Sequence, residues 1–347
     1  MKTLLKGNDA VVHGALLGGA THFFGYPITP ASEIAHAAAL YFPQAGGVFL
    51  QAEDEVNAIN MIYGSAAAGA RVMTASSGPG FSLMAEGVSY LAACELPCVL
   101  VDIQRSGPGL GNIWVEQSDY NMVVNAGAHG NYKNIVLAPN SAQEMCDFTH
   151  RAFDIADKYR NPVFILSDAY IGQMMEPVEL PKTIHRGSRR EEALYGDAAS
   201  RKNLVTSIFM VSEQLQALNH KLDAKYKRIQ REFVEFEEVQ TKDAEILFVA
   251  YGISARICLT AVQRLRAKGI KNGLLRPKTL FQFPSERLAD LSAKMKQVVV
   301  VELSNGQMAR DVERYVGPRA PVALFNWMGG AVPSADEVMR KIEAKEF

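Results

Sequence analysis

Three consecutive acids, Glu53-Asp54-Glu55, precede a stretch at 56–70 that carries no charge. The residues of that stretch are small or apolar, so it reads as a buried helix with carboxylates at its mouth. Acids at a helix start complement the macrodipole and cap free N–H groups, which accounts for one or two of them. A carboxylate at the edge of a dry core has a perturbed pKa and suits acid–base work. The cluster is therefore a candidate active-site carboxylate. Three other segments carry groups of chemical use. Tyr26-Pro27-Ile28-Thr29-Pro30 fixes a loop between two prolines and presents the Thr29 hydroxyl. Ser76-Ser77-Gly78-Pro79-Gly80 offers backbone amides at the opening of a helix, suited to an anion or polar ligand. Gln104-Arg105-Ser106-Gly107-Pro108 supplies a guanidinium, whose donor fork suits a planar carboxylate in a dry site. Each segment also has a plainer reading: a rigid turn, a strand–helix connection, a surface ion pair. Gly107-Pro108-Gly109-Leu110-Gly111 loosely resembles a dinucleotide-binding glycine motif, but it does not sit between a strand and a tight helix start.

The order of elements brings these groups together. Strand patterns at 21–25, 47–51, 72–75, 97–104, 135–137 and 163–166 alternate with helical patterns at 7–20, 31–41, 56–70, 81–93 and 142–158. Such alternation predicts an α/β fold with a parallel sheet covered on both faces. Ligands of open parallel sheets bind at the C-terminal ends of the strands. The four candidate segments all follow strands, and four such groups at one sheet edge point to one site. Residues 181–240 differ. Beyond Pro177, Pro181 and the charged run at 185–192, apolar residues recur three or four apart at Leu204, Ile208, Val211, Leu215, Leu218, Leu222, Tyr226, Ile229 and Phe233. This near-heptad stripe predicts one long helix, read as an interdomain and assembly arm packed on this chain or on a partner. Strand and helix patterns resume at 246–252, 254–268, 273–276 and 298–301. The expected organisation is a first α/β domain at 1–180, a helical arm at 181–240 and a smaller α/β domain at 241–347.

The chain has 347 residues, enough for two cores. Its 36 basic and 37 acidic residues leave a net charge of −1, so no field of one sign would draw nucleic acid or a membrane surface. The first 27 residues are apolar in character but are interrupted by Asp9 and His13, and they lack a signal-peptide core and cleavage site. No stretch approaches the roughly 18 apolar residues of a membrane span. The expected location is the cytoplasm. Cys94, Cys98, Cys146 and Cys258 form no Cys-x-x-Cys pair and have no histidine at zinc spacing. They are expected to be small core residues, and no spacing for an iron–sulfur cluster occurs.

Several motifs act in combination: GYPITPASE (25–33), QAEDE (51–55) with AINM (58–61), TASSGPGFSLMAEG (74–87), ELPCVLVDIQRSGPGLG (95–111), EQSDY (116–120), HGNYKNIVLAP (129–139) and FILSDAYIGQ (164–173). Together they resemble the α subunit of 2-oxoacid:ferredoxin oxidoreductases. The resemblance continues through the arm and the second domain and so covers nearly the whole chain. GPGLGN (107–112) and HGNY (129–132) are most similar to the branched-chain, 2-oxoisovalerate type, with the 2-oxoglutarate type next. The family uses thiamine diphosphate. The resemblance implies a pyrimidine-type thiamine-diphosphate-binding fold for the first domain and a transketolase C-terminal-like fold for the second. It maps the glutamate that hydrogen-bonds the aminopyrimidine ring to Glu55, by its spacing to Gly64; Glu53 and Asp54 fit less well. That contact favours the tautomer that generates the cofactor's nucleophilic ylid. Pro27, Ile28, Ser76, Ser77 and Gly78 map to the surroundings of the cofactor. Thr29 and Arg105 match positions that bind the carboxylate or carbonyl of the 2-oxoacid. Carbon dioxide then leaves, ferredoxin takes two electrons singly, and coenzyme A takes the acyl group.

The departures are informative. A complete site needs a metal-holding Gly-Asp-Gly motif, and the chain has none; Gly196-Asp197-Ala198 does not supply it. Cluster cysteines are missing too, and no metal ligand is assigned to this chain. The resemblance thus implies that this subunit brings the pyrimidine half of a shared site. A β subunit would bring the diphosphate half and Mg²⁺, with a γ subunit and a ferredoxin-like δ subunit completing the complex and its [4Fe-4S] clusters. Alone the chain would be inactive. Two alternatives stand beside this reading: the α subunit of a 2-oxoglutarate enzyme, and a catalytically silent assembly subunit. Retention of Thr29, Glu55 and Arg105 together argues against the silent one.

Overall fold

Continuous runs of Val, Ile and Leu must be buried on both faces, and they form the centres of two sheets. The computed structural model describes residues 2–346. The larger sheet has seven strands in the spatial order Thr279–Phe281, Ile135–Leu137, Pro162–Asp168, Cys98–Gln104, Val72–Ser76, His22–Gly25 and Val48–Gln51. All but the first run parallel. Every residue of Cys98–Gln104 and of Pro162–Asp168 is buried, which marks the middle of the core. The smaller sheet runs Val322–Asn326, Gln297–Glu302, Ile246–Val249, Asn272–Pro277 and Phe236–Val239.

Neither sheet is purely parallel, which corrects the expectation. Phe236–Val239 pairs antiparallel with Asn272–Pro277, and Thr279–Phe281 pairs antiparallel with Ile135–Leu137. Each antiparallel strand sits at an edge of its sheet and pairs with a strand far from it in sequence. The second edge strand has a larger consequence. The chain leaves the smaller sheet at Pro277 and at once adds a strand to the larger one, so the two units are laced together. Arg276 strengthens the seam. It is fully buried, donates to both carboxylate oxygens of Glu144 on the helix Ala142–Tyr159 (2.7 and 2.6 Å), and lies 3.0 Å from Glu237.

The expected long arm is shorter. Its helix spans Ser212–Glu232, and residues 203–211 are not helical. Leu222, Tyr226 and Ile229 are buried against this chain's own core, while Leu204 and Ile208 are 81% and 72% exposed. A helix is marginal without tertiary packing, so the stripe becomes helical only where it has something to cover. Glu95 anchors the packed part, pairing with Lys221 and, at 3.4 Å, with Lys225.

Two helix starts also shift. The helix expected at 81–93 begins at Gly78 (Gly78–Ala93), with Pro79 in its first turn. Proline is tolerated there because its missing N–H would have no intrahelical partner in any case. The acid-headed helix is Glu55–Ala67, and one of its faces is open: Val56, Asn57, Asn60 and Gly64 are exposed. Its lack of charge therefore does not mean burial all round.

Candidate active site

The four segments singled out in the sequence emerge at the C-terminal ends of four neighbouring parallel strands, Cys98–Gln104, Val72–Ser76, His22–Gly25 and Val48–Gln51. The loop at 26–30 owes its position to more than its prolines. Buried Asn8, on the helix Gly7–Leu17, donates to the Pro30 carbonyl (2.8 Å) and to Glu33 (3.0 Å). Gln173 donates to the same Glu33 carboxylate (2.8 Å), and Arg105 Nη1 donates to the Thr29 carbonyl (2.8 Å). Thr29 and Arg105 thus form one unit, with the Thr29 side chain at the surface.

The three acids have three different fates. Glu53 is exposed. Asp54 is the N-cap, accepting from the Asn57 N–H (2.7 Å). Glu55 is 6% exposed, and among the described residues nothing donates a hydrogen bond to it. Its carboxylate lies over Gly80. A Cβ at that glycine would stand 2.7 Å from Glu55 Oε1 and 2.1 Å from Ser76 Oγ. Ser76 and Ser77 are fully buried, and their hydroxyls have no partner. A nearly buried glutamate whose oxygens still reach solvent, and to which no group of this chain donates, beside a cradle that only glycine leaves open, fits a polar ring approaching from outside the chain. Gly80→Ala is accordingly expected to destabilise the fold by about 1–3 kcal/mol through overpacking and to displace the carboxylate. Adding Ser76→Ala relieves the closer contact only. Melting temperature should then recover in part while activity stays low.

Arg105 opens onto a cleft of about 1000 Å³ between the two units, lined also by Gly78, Glu116, Asp119, Gln307 and Gly329. Thr29 and Glu55 are not part of that lining. Thr29 is tied to the cleft through its carbonyl's bond to Arg105, and Glu55 lies against Gly80. Glu116 and Asp119 line the cleft, and Asp168 and Asp102 lie elsewhere in the core; the sequence reading quoted their motifs but gave these acids no role. Glu116 accepts from the Gly107 N–H (3.0 Å) and the Gly329 N–H (3.1 Å), pinning the 105–116 loop to the smaller unit. Gln117 accepts from Leu303 N–H (3.0 Å) and Ser254 Oγ (2.8 Å) and donates to the Tyr251 carbonyl (3.0 Å). Asp168 accepts from Ile253 N–H at 2.9 Å, and burial pushes its carboxyl up to about 6 against the pull of that bond. Asp102 is fully buried beside Ser76 on the adjacent strand, and neither of its oxygens has a partner. Burial, then the neighbouring Asp119, holds it well above the usual carboxylate range. One signal was readable: Asp102 interrupts an otherwise apolar strand, CVLVDIQ. Asn8 sits in a segment with no such contrast, and EQSDY (116–120) was noted as a motif without a role for Glu116 or Gln117.

A partnerless carboxylate, a guanidinium and buried hydroxyls at one edge of parallel strands make a ligand site of the open α/β class. The family model described as pyruvate flavodoxin/ferredoxin oxidoreductase, thiamine diP-bdg, matches residues 12–244. That described as pyruvate:ferredoxin oxidoreductase core domain II matches 244–338. The chain belongs to the pyruvate flavodoxin/ferredoxin oxidoreductase family. It is 54% identical to the ketoisovalerate oxidoreductase subunit VorB of Methanothermobacter marburgensis, over 98% of this chain and 96% of the relative. It is 40% identical to the 2-oxoglutarate synthase subunit KorA of Archaeoglobus fulgidus, over 90% of each. The 2-oxoglutarate:ferredoxin oxidoreductase of Magnetococcus marinus, solved with 2-oxoglutarate, coenzyme A and succinyl-CoA bound, superposes with a TM-score of 0.91 at 27% identity. That match covers 99% of this chain but only 65% of the other, longer one.

Proposed function

We propose that this chain is the α subunit of a thiamine-diphosphate-dependent 2-oxoacid:ferredoxin oxidoreductase that acts on branched-chain 2-oxoacids. The observation that carries the proposal is Glu55, a residue only 6% exposed whose carboxylate has no donor in this chain and lies at the rim of a glycine cradle. The 54% identity to a ketoisovalerate oxidoreductase subunit supports the branched-chain substrate. The 40% identity to a 2-oxoglutarate synthase subunit supports the second reading, a 2-oxoglutarate enzyme.

Thiamine diphosphate, when bound, supplies the nucleophile and the electron sink for decarboxylation. Glu55 would hold the pyrimidine ring nitrogen and govern its proton. Pro27, Ile28, Ser76, Ser77 and Gly78 would line the ring and keep water from it. Thr29 and Arg105 would fix the 2-oxoacid by its carboxylate and carbonyl, and the Arg105–Thr29 hydrogen bond supports their acting together. Overall, the 2-oxoacid, coenzyme A and two oxidised ferredoxins give acyl-CoA, carbon dioxide, a proton and two reduced ferredoxins.

The sequence has no Gly-Asp-Gly motif, which supports a division of labour among subunits. The diphosphate and Mg²⁺ would be held by a β subunit, and the [4Fe-4S] clusters by partner subunits, with a γ subunit and a ferredoxin-like δ subunit completing the complex. Residues 1–180 would be the pyrimidine-type domain, 181–240 the arm and 241–347 the transketolase C-terminal-like domain. Among the described residues no helix is long and apolar enough to cross a membrane, and we place the complex in the cytoplasm. The test is kcat/KM of the assembled complex for 2-oxoisovalerate, pyruvate and 2-oxoglutarate. We expect 2-oxoisovalerate to lead; preference for 2-oxoglutarate would replace the first reading with the second.

A further inference from the structure

The loop at 105–114 is braced by its own backbone. The Ser106 N–H donates to the Trp114 carbonyl (2.9 Å), and the Asn112 N–H donates to the Ser106 carbonyl (3.2 Å). Gly111 takes a left-handed conformation at φ +55°, and a Cβ there would stand 1.8 Å from that same carbonyl. Asn112 Nδ2 donates to the Gly329 carbonyl (3.2 Å), which ties the loop to the smaller unit. Leu110 lies within the turn that these bonds close. Its carbonyl accepts from Arg105 Nη2 (3.1 Å), while Nη1 donates to the Thr29 carbonyl (2.8 Å). Each of these nitrogens keeps a second N–H for a carboxylate. Leu110 lines the same cleft as Arg105 and is 82% exposed, and Met328, 53% exposed, lines it from the smaller unit. Apolar surface held open together by a braced loop marks a binding site. Among the described residues of the lining, Arg105 is the only cation, whereas Glu116 and Asp119 bring two carboxyls.

We propose that Leu110 determines specificity by receiving the apolar side chain of a 2-oxoacid whose carboxylate is held by Arg105. The proposal rests on the assignment of Arg105 and on the substrate class proposed above, and adds the residue that reads the side chain. The Arg105 guanidinium is bonded to Leu110 itself, so the anchor for the carboxylate and the apolar surface belong to one fixed loop. In a 2-oxoacid the side chain starts at the keto carbon, next to the carboxylate. A ligand anchored on Arg105 therefore presents its side chain close to Leu110. A branched alkyl group there removes apolar area of both partners from water, and the methyl of pyruvate removes less. The cleft also discriminates by repulsion. The second carboxylate of 2-oxoglutarate would meet no second cation in the lining and would lose water near two carboxyls of the protein.

The experiment measures kcat/KM of the assembled complex for 2-oxoisovalerate, pyruvate and 2-oxoglutarate, with wild type, Leu110→Ala, Leu110→Arg and Arg105→Ala. Leu110→Ala should lower the value for 2-oxoisovalerate about tenfold, the scale of lost alkyl contacts in a pocket, and that for pyruvate by less than about twofold. Leu110→Arg supplies the missing second cation and should raise the ratio of 2-oxoglutarate to 2-oxoisovalerate at least about tenfold. A role confined to the loop's shape would lower all three substrates by one factor. Ratios among the substrates that stay at their wild-type values in both variants therefore overturn the proposal. Loss of partner subunits from the Leu110→Ala complex on gel filtration overturns it too, because Leu110 then serves a subunit contact. Wild-type preference for 2-oxoglutarate overturns the substrate class proposed above, and this proposal with it. If Arg105→Ala leaves all three values untouched, the assignment of Arg105 fails instead.

Discussion

Glu55→Gln should abolish turnover in the assembled complex while leaving the chain folded and bound to its partners. Glutamine has nearly the same shape, and the helix keeps its N-cap at Asp54. The structural cost is the loss of one negative charge in the first turn, about 0.3–1 kcal/mol. The chemical cost is much larger. Glutamine cannot exchange a proton with a ring nitrogen, and positioned acid–base groups contribute about 10²–10⁴-fold. We therefore expect kcat to fall by at least about a hundredfold at saturating substrate, with a melting temperature lower by no more than about 3 °C and an unchanged elution of the complex. A catalytically silent assembly subunit would tolerate the same change. Undiminished decarboxylation by the Glu55→Gln complex would therefore restore the scaffold reading.

The largest effect on stability is expected at Arg276→Met. Arg276 has a side-chain exposure of 2% and holds Glu144 across the seam between the two units. Removing one partner of a buried pair leaves the other charge uncompensated, at about 3–5 kcal/mol. Lys278, 3.4 Å from Glu144, places the loss toward the lower end. Burial pushes the Glu144 carboxyl up, but its bonds to Arg276 outweigh this and hold it below the usual range. A lowered carboxyl pKa stabilises above the unfolded-state value and is lost as pH falls through the folded one. The gap between wild type and Arg276→Met, read by calorimetry, should therefore be full at neutral pH and shrink on acidification. Arg276→Lys should recover only part of it, since an ammonium cannot donate to both oxygens in parallel. A gap independent of pH would mean that packing, not the ion pair, carries the effect.

What the sequence made legible follows from how each feature is held. Strands such as Gln297–Glu302 were readable because burial on both faces leaves an apolar run with no other use. The four loops were readable because the strands ahead of them were. The opening Gly78-Pro79-Gly80 looked like a loop because its composition is that of a turn, yet it forms the first helical turn, where glycine and proline cost little. The arm failed upstream of Ser212 because periodicity reports what a helix could bury and not whether a surface exists to receive it. The roles of Asn8 and Gln117 were not readable for a different reason. They arise from contacts across 22 to 186 residues of chain, and no local pattern encodes those.

The short strand Thr279–Phe281 also sets a timetable for the chain's birth. Until residue 281 has left the ribosome, the edge at Ile135–Leu137 has no neighbour, although every other strand of the larger sheet is already made. An open apolar edge is a template for pairing with other chains. Between the synthesis of the sixth strand and of the seventh, that edge therefore stays open to other chains. It closes only when the downstream unit is being made, so each half of the molecule vouches for the completion of the other.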